Sequence, residues 1–168
     1  MYNTQPMNYQ RRYICLVFLV GVMVGCDVVA PVYSPSTGGY LGANITPKNT
    51  WAARGDLANP ASAIDHDLST AARSDYQYKG TELIIDLKKV CLFQSVIIEH
   101  GAARGGHCRS VNISTSVDGR IYNNKYIAPG TRRVTIISLP APTLARYVRL
   151  EASSPGRSRW AIAEIYIQ

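Results

Sequence analysis

Asp65, Asp67 and Thr70 put three oxygen-bearing side chains within six positions, inside the run NPASAIDHDLST from Asn59 to Thr70. Oxygens spaced this way in a tight loop can converge on one hard cation. Calcium takes six to eight oxygens at about 2.3–2.6 Å and tolerates irregular loops. The same residues can equally form a solvated turn in which Asp65 and Asp67 accept backbone N–H groups. The spacing alone does not choose between them. Upstream, Asn59 can cap a helical turn, and Pro60 suits its first position because the missing N–H would have no partner there. Ala61 to Ile64 then complete a short turn with Ile64 directed inward.

A second group of residues suits recognition. The stretches ARSDYQYKG, HGAARGGHC and SSPGRSR carry Arg73, Tyr76, Tyr78, Arg104, His107, Arg157 and Arg159. Glycine lets a ligand approach the backbone, aromatic rings stack on sugar faces, and guanidinium forks donate to hydroxyls, carboxylates or phosphates. Catalysis has no comparable support. The sequence contains no nucleophile elbow, phosphate loop or pair of glutamates at glycosidase-like spacing, and nothing brings its Ser, His and Asp residues together. His107 stands beside Cys108, but no CxxC or HxxxH spacing points to zinc. The expected class is a binding module and not an enzyme.

The elements that must position these residues are strands. From residue 81 onward hydrophobicity has period two: Leu83, Ile85 and Leu87 alternate with Glu82, Ile84 and Asp86, and Ile165 and Ile167 with Glu164 and Tyr166. Turn signals at Asp118-Gly119, Pro129-Gly130, Pro140 to Pro142 and Pro155-Gly156 separate the runs. Strands are predicted near 42–46, 81–87, 93–99, 109–117, 122–127, 132–139, 145–152 and 160–167. The fold class is therefore all-β, an eight-stranded antiparallel jelly-roll sandwich. Because each antiparallel strand reverses the chain, connections 71–80, 100–108, 128–131 and 153–159 should share one end. The turns near 88–92, 118–121 and 140–144 should share the other.

Four stretches carry a family resemblance. NPASAIDHDLST, TELIIDLKKV (Thr81 to Val90), SVNISTSVDG (Ser110 to Gly119) and ARYVRLEASSPGRSRWAIAEIYI (Ala145 to Ile167) resemble, in order, the motifs of discoidin domains. These are also called coagulation factor 5/8 type C domains, and they include bacterial carbohydrate-binding relatives of galactose-binding-like fold. The resemblance covers about Asn44 to Gln168. It implies a structural calcium held by Asp65, Asp67, Thr70 and Glu164, with backbone carbonyls near Ser62 and Ala163, and ligand-binding loops at one end of the sandwich. Three carboxylates crowded together would repel one another without a cation. Two departures stand out. His66 replaces the usual Gly, although histidine tolerates left-handed backbone better than most residues. Ala71 and Ala72 replace the usual Arg-Trp pair, which removes a packing anchor.

The N-terminus reads as an export signal. Arg11 and Arg12 precede the apolar run YICLVFLVGVMV, and Met23-Val24-Gly25-Cys26 resembles a bacterial lipobox. A run of about a dozen apolar residues is too short to span hydrocarbon. The expected organisation is a lipoprotein signal peptide over 1–25, a Pro/Ser/Gly-containing tether over 26–43, and the discoidin-like domain over 44–168. Lipidation of Cys26 would attach the protein to a membrane of the bacterial cell envelope, facing the periplasm or the cell surface. The formal charge of +7 comes from scattered residues and not from one block, which argues against a nucleic-acid partner. Export would permit a disulfide between Cys91 and Cys108. The strand count places them at opposite ends, separated by a strand of roughly 23 Å, and a bridge needs its Cα atoms within about 7 Å.

The expected partner is carbohydrate. Docking onto another envelope protein as a structural or adaptor subunit is the alternative. The sequence holds only Trp51 and Trp160 as broad rings for sugar stacking, which favours that alternative. Binding of anionic phospholipid, as in some eukaryotic relatives, is a third option.

Overall fold

The computed structural model describes residues 44–102 and 105–168, the side chain of Asn124 excepted. The expected leader and tether, the expected lipidation site Cys26 and the loop residue Arg104 lie outside the described residues.

Eight strands follow in order: β1 (Ala52–Gly55), β2 (Ala72–Arg73), β3 (Glu82–Glu99), β4 (Ser110–Ser116), β5 (Asn123–Pro129), β6 (Val134–Ala152), β7 (Ala161–Ile162) and β8 (Glu164–Ile167). All pair antiparallel. One sheet has the order β1-β3-β6-β4-β5, with β8 also on β3, and a small second sheet pairs β2 with β7. The all-β expectation holds, but the strands are divided differently. Runs 81–87 and 93–99 are one strand, β3, and runs 132–139 and 145–152 are one strand, β6.

Both strands continue through a bend because polar groups hold it. Register slips between Asp86 and Cys91 and again between Phe93 and Ser95. Lys88 takes a φ of 71°, and its N–H donates to Asp86 Oδ1 at 2.7 Å. From the facing strand Arg146 grips the same carboxylate with Nε and Nη2, at 2.8 and 3.0 Å. The two halves of the β3–β6 ribbon then serve different neighbours. Residues 82–86 lie between β1 and the 147–151 segment, and residues 96–99 lie between β8 and the 134–137 segment.

Alternation decides the core. Leu83, Ile85 and Leu87 are buried on the first half, Val96 and Ile98 on the second, and Ile113, Val148, Leu150, Trp160 and Ile165 close over them. Each such side chain contributes about 1.5–3 kcal/mol by leaving water. Ala72, where relatives usually have Trp, is fully buried on β2.

Three sequence expectations are corrected. The strand predicted near 42–46 is absent from residues 44–46, and the edge strand is β1 instead. A 3-10 turn, Lys48–Thr50, leads into it, and Trp51 anchors the turn by burying its ring and donating Nε1–H to the Thr46 carbonyl at 2.9 Å. The closing run 160–167 breaks at Ala163 into β7 and β8. Asn59 does not cap the turn Pro60–Ala63 through its side chain. It sits in the left-handed region, and backbone bonds close the turn. Cys91 and Cys108 are both buried and free, as the strand count anticipates.

Candidate functional site

Backbone hydrogen bonds gather four connections at one end. Ser74 N–H donates to the Trp160 carbonyl, Gly80 to Ala152, Ala161 to Gly106, His100 to Arg133 and Gly130 to Arg109. Gln77 and Gly156 pair as an isolated bridge between the first and last of these loops. Gln77 is 1% exposed, and its Nε2 donates to the Ser154 carbonyl at 2.9 Å. A side chain at Gly156 has no room, since a Cβ there would stand 2.8 Å from the Gln77 amide. The 153–159 loop is thus fixed onto the 74–80 loop by a buried residue.

Among the described residues, three hollows on this end are notable. One of about 570 Å³ is lined by Arg73 and Arg159 with Gly105, Gly106 and Ser158. A second of about 690 Å³ is lined by His107, Arg109, Arg157 and Gln77, and it shares Ser158 with the first. A third of about 250 Å³ holds Tyr76, Tyr78 and Asp75, and it shares Arg73 with the first. Tyr76 and Tyr78 are 60% and 66% exposed, with ring centroids 6.2 Å apart at 54°. Nδ1 of His107 is shut off from solvent and has no hydrogen-bond partner among the described residues. Its neighbour His100 is buried and fully engaged, with Nδ1 on the Ala161 carbonyl at 2.7 Å and Nε2 on Thr135 Oγ1 at 3.2 Å. Burial holds His100 below the usual histidine range.

The structure therefore brings Arg73, Tyr76, Tyr78, His107, Arg157 and Arg159 to one end, spread over adjoining hollows and not in one pocket. Sequence reading missed Arg109 and Gln77. Arg109 lies one residue past the predicted loop, and Gln77 lies between two tyrosines that draw attention from it. The first two hollows are lined without a carboxylate, whereas the third sets Arg73 beside Asp56 and Asp75.

The acidic turn is a separate site. Asp65 accepts Asp67 N–H on Oδ1 at 2.9 Å and Thr70 Oγ1–H on Oδ2 at 2.7 Å. Asp67 accepts both the N–H and the hydroxyl of Ser69, at 2.8 and 2.6 Å, and this pair holds its carboxyl below the ordinary range. His66 takes a φ of 66° at the usual glycine position. Its N–H donates to Oε1 of Glu164, a fully buried residue of β8. The closing strand thus meets the opening loop. The other Glu164 oxygen, Oε2, is ion-paired with the Lys48 ammonium.

Lys48 was not anticipated, because nothing in its sequence neighbourhood pairs it with a residue more than a hundred positions away. Its side chain is only 8% exposed, and its ammonium lies 4.3 Å above the Tyr166 ring. Burial draws it down to about 8 against the attraction of Asp65 and Glu99. It stays charged at neutral pH. Among the described residues no group of three or more His, Cys, Asp or Glu side chains is placed to hold a metal ion. The resemblance expects calcium on Asp65, Asp67, Thr70 and Glu164, with carbonyls near Ser62 and Ala163. As these side chains stand, their oxygens serve the turn and an ammonium, and they do not fit a divalent ion.

Solved structures of low sequence identity share the architecture. The family 32 carbohydrate-binding module of Clostridium perfringens NanJ, in complex with galactose, is 18% identical and matches with a TM-score of 0.61 over 72% of this chain and 95% of its own. A second Clostridium perfringens module, in complex with GalNAc-β-1,3-galactose, is 14% identical with a TM-score of 0.61 over 72% and 96%. The module of AlyQ, in complex with 4,5-unsaturated mannuronic acid, is 19% identical with a TM-score of 0.56 over 70% and 93%. At such identities the likeness concerns the fold. Among curated proteins none matches. The F5/8 type C domain model matches residues 44–165, nearly three quarters of the sequence, and the chain belongs to that family.

Proposed function

We propose that this chain is a non-catalytic carbohydrate-binding module, carried by a lipid-anchored protein of the bacterial cell envelope, and that it favours acidic sugars. One observation carries the reading. Arg73 and Arg159, with Arg109, Arg157 and His107, line two adjoining hollows without a facing carboxylate. None of these four arginines is in an ion pair among the described residues. Unpaired guanidinium forks on a rigid frame suit a carboxylate-bearing ligand, because charge-assisted bidentate bonds are strong and directional. The likeness to modules solved with galactose, with GalNAc-β-1,3-galactose and with an unsaturated uronic acid supports a sugar ligand. Trp51 and Trp160 are both buried, so stacking falls to Tyr76 and Tyr78. Membrane attachment rests on the Met23 to Cys26 motif.

The test is binding of the purified chain to alginate and polygalacturonate against neutral galactan. Each charge-assisted bond contributes about 1.5–3 kcal/mol. Arg157→Ala or Arg109→Ala should therefore weaken acidic glycan binding roughly 10- to 100-fold, and added salt should weaken it further. Equal affinity for the neutral polymer removes the preference for acidic sugars. Absence of binding to every glycan removes the reading.

The adaptor reading has its own support at the opposite end. Val117, Ile121 and Leu144 are exposed apolar residues around a hollow of about 240 Å³. A stoichiometric protein partner lost on Ile121→Asp, with no glycan binding, favours that reading.

A further inference from the structure

We propose that Lys48 is the built-in counter-cation of this domain: its ammonium stands between the acidic turn and the closing strand, where the resemblance expects a divalent ion. The inference does not depend on the ligand reading. Glu164 is completely buried, and a buried carboxylate is tolerated only with a partner charge or full hydrogen bonding. Its Oε1 has the His66 N–H, and its Oε2 has only the Lys48 ammonium. Oε2 and Lys48 Nζ are both shut off from solvent, and neither has a hydrogen-bond partner among the described residues, so the ion pair is what compensates each. Among the described residues this is the one ion pair that either side chain makes.

The position of Lys48 is built into the fold. It opens the 3-10 turn Lys48–Thr50, whose carbonyl accepts Trp51 N–H at 3.0 Å. The buried Trp51 ring and the bond from Thr46 Oγ1–H to the Leu87 carbonyl pin that turn against the bend of β3. Tyr166 offers its ring face to the ammonium from below. With Asp65 and Glu99 also acting on it, the lysine meets negative charge from the turn, from β3 and from β8. A divalent ion among the same oxygens would face this ammonium at close range, and one of the two cations would have to leave. A lysine ties the two ends of the domain together without drawing on ions from the medium.

The experiment is thermal unfolding of the purified full chain in chelator and in excess calcium, for the natural sequence and for Lys48→Met. The natural chain should unfold at the same temperature in both media. Breaking a buried pair should cost Lys48→Met roughly 10 °C in chelator, and calcium should restore part of that loss by binding where the ammonium stood. The proposal is overturned by a natural chain that calcium stabilises and chelator destabilises. It is equally overturned by a Lys48→Met chain that melts like the natural one, or that gains nothing from calcium. Should Lys48→Met fail to fold, Glu164→Gln and the double variant Lys48→Met/Glu164→Gln decide. The double variant should be more stable than Glu164→Gln alone, and one that is no more stable sinks the pairing.

Discussion

Replacing Gln77 by alanine should loosen the loop that carries Arg157 and Arg159, and the loss can be worked from contacts. The side chain is 1% exposed and donates to the Ser154 carbonyl at 2.9 Å. The lost hydrogen bond amounts to about 1 kcal/mol. The packing of a buried amide and its methylenes adds about 1–2 kcal/mol. Gln77→Ala should therefore destabilise by about 2–3 kcal/mol. Gly156→Ala acts from the opposite side. Its Cβ would stand 2.8 Å from Gln77 Cδ and Oε1 and overpack the bridge, at about 1–3 kcal/mol. Combined, the two changes should offset each other, because the new methyl group enters the space the amide leaves. Urea unfolding of the two single variants and the double variant measures this directly. The double variant should be at least about 1 kcal/mol more stable than additivity allows. Strict additivity refutes the idea that the two loops are locked through this contact.

Other expectations follow from the bend and from the turn between β5 and β6. Arg146 and the Lys88 N–H hold the Asp86 carboxylate below its ordinary range. At low pH the unfolded chain binds the proton first, so the stabilisation is complete above the ordinary aspartate value, about 4. It is lost as pH falls through the lowered value. Asp86→Asn should flatten that part of the profile of stability against pH, and an unchanged acid limb contradicts the assignment. Gly130→Ala should abolish folded expression, because a Cβ would lie 1.7 Å from the Cys108 carbonyl oxygen. Gly105→Ala, on the same end but with nothing within 4 Å among the described residues, should unfold within a degree or two of the natural chain. Similar behaviour of the two variants would mean that the 108–130 contact is not tight.

Which parts of this molecule could be read from its residues depends on the range of the interactions involved. The period-two runs at Leu83 to Leu87 and at Ile165 to Ile167 gave the fold class because successive side chains point to opposite faces of a strand. Counting reversals assumed turns at 88–92 and 140–144, where β3 and β6 bend and continue instead; what brings the loops of Arg73, His107, Arg157 and Arg159 together is the bonding between them. The meeting of Glu164 with the Asp65–Asp67 turn was visible only through the family resemblance. Its occupant was not. Lys48 reaches Glu164 because Trp51 and Thr46 seat an irregular segment against Leu87, and no local pattern encodes that. The continuity of β3 and β6 was hidden for a related reason. Lys88 and Lys89 look like a polar turn, whereas Asp86 and Arg146 let the ladder bend and resume.

The shared ribbon has a mechanical consequence. Both faces of the sandwich hang on the same two chain segments, so neither can peel away while the other stays intact. Opening β3 over 82–86 strips support from β1 and β6, and opening it over 96–99 strips support from β6 and β8. Cleavage sites within the ribbon become accessible only when the strands on both sides of it release, which raises the cost of local opening.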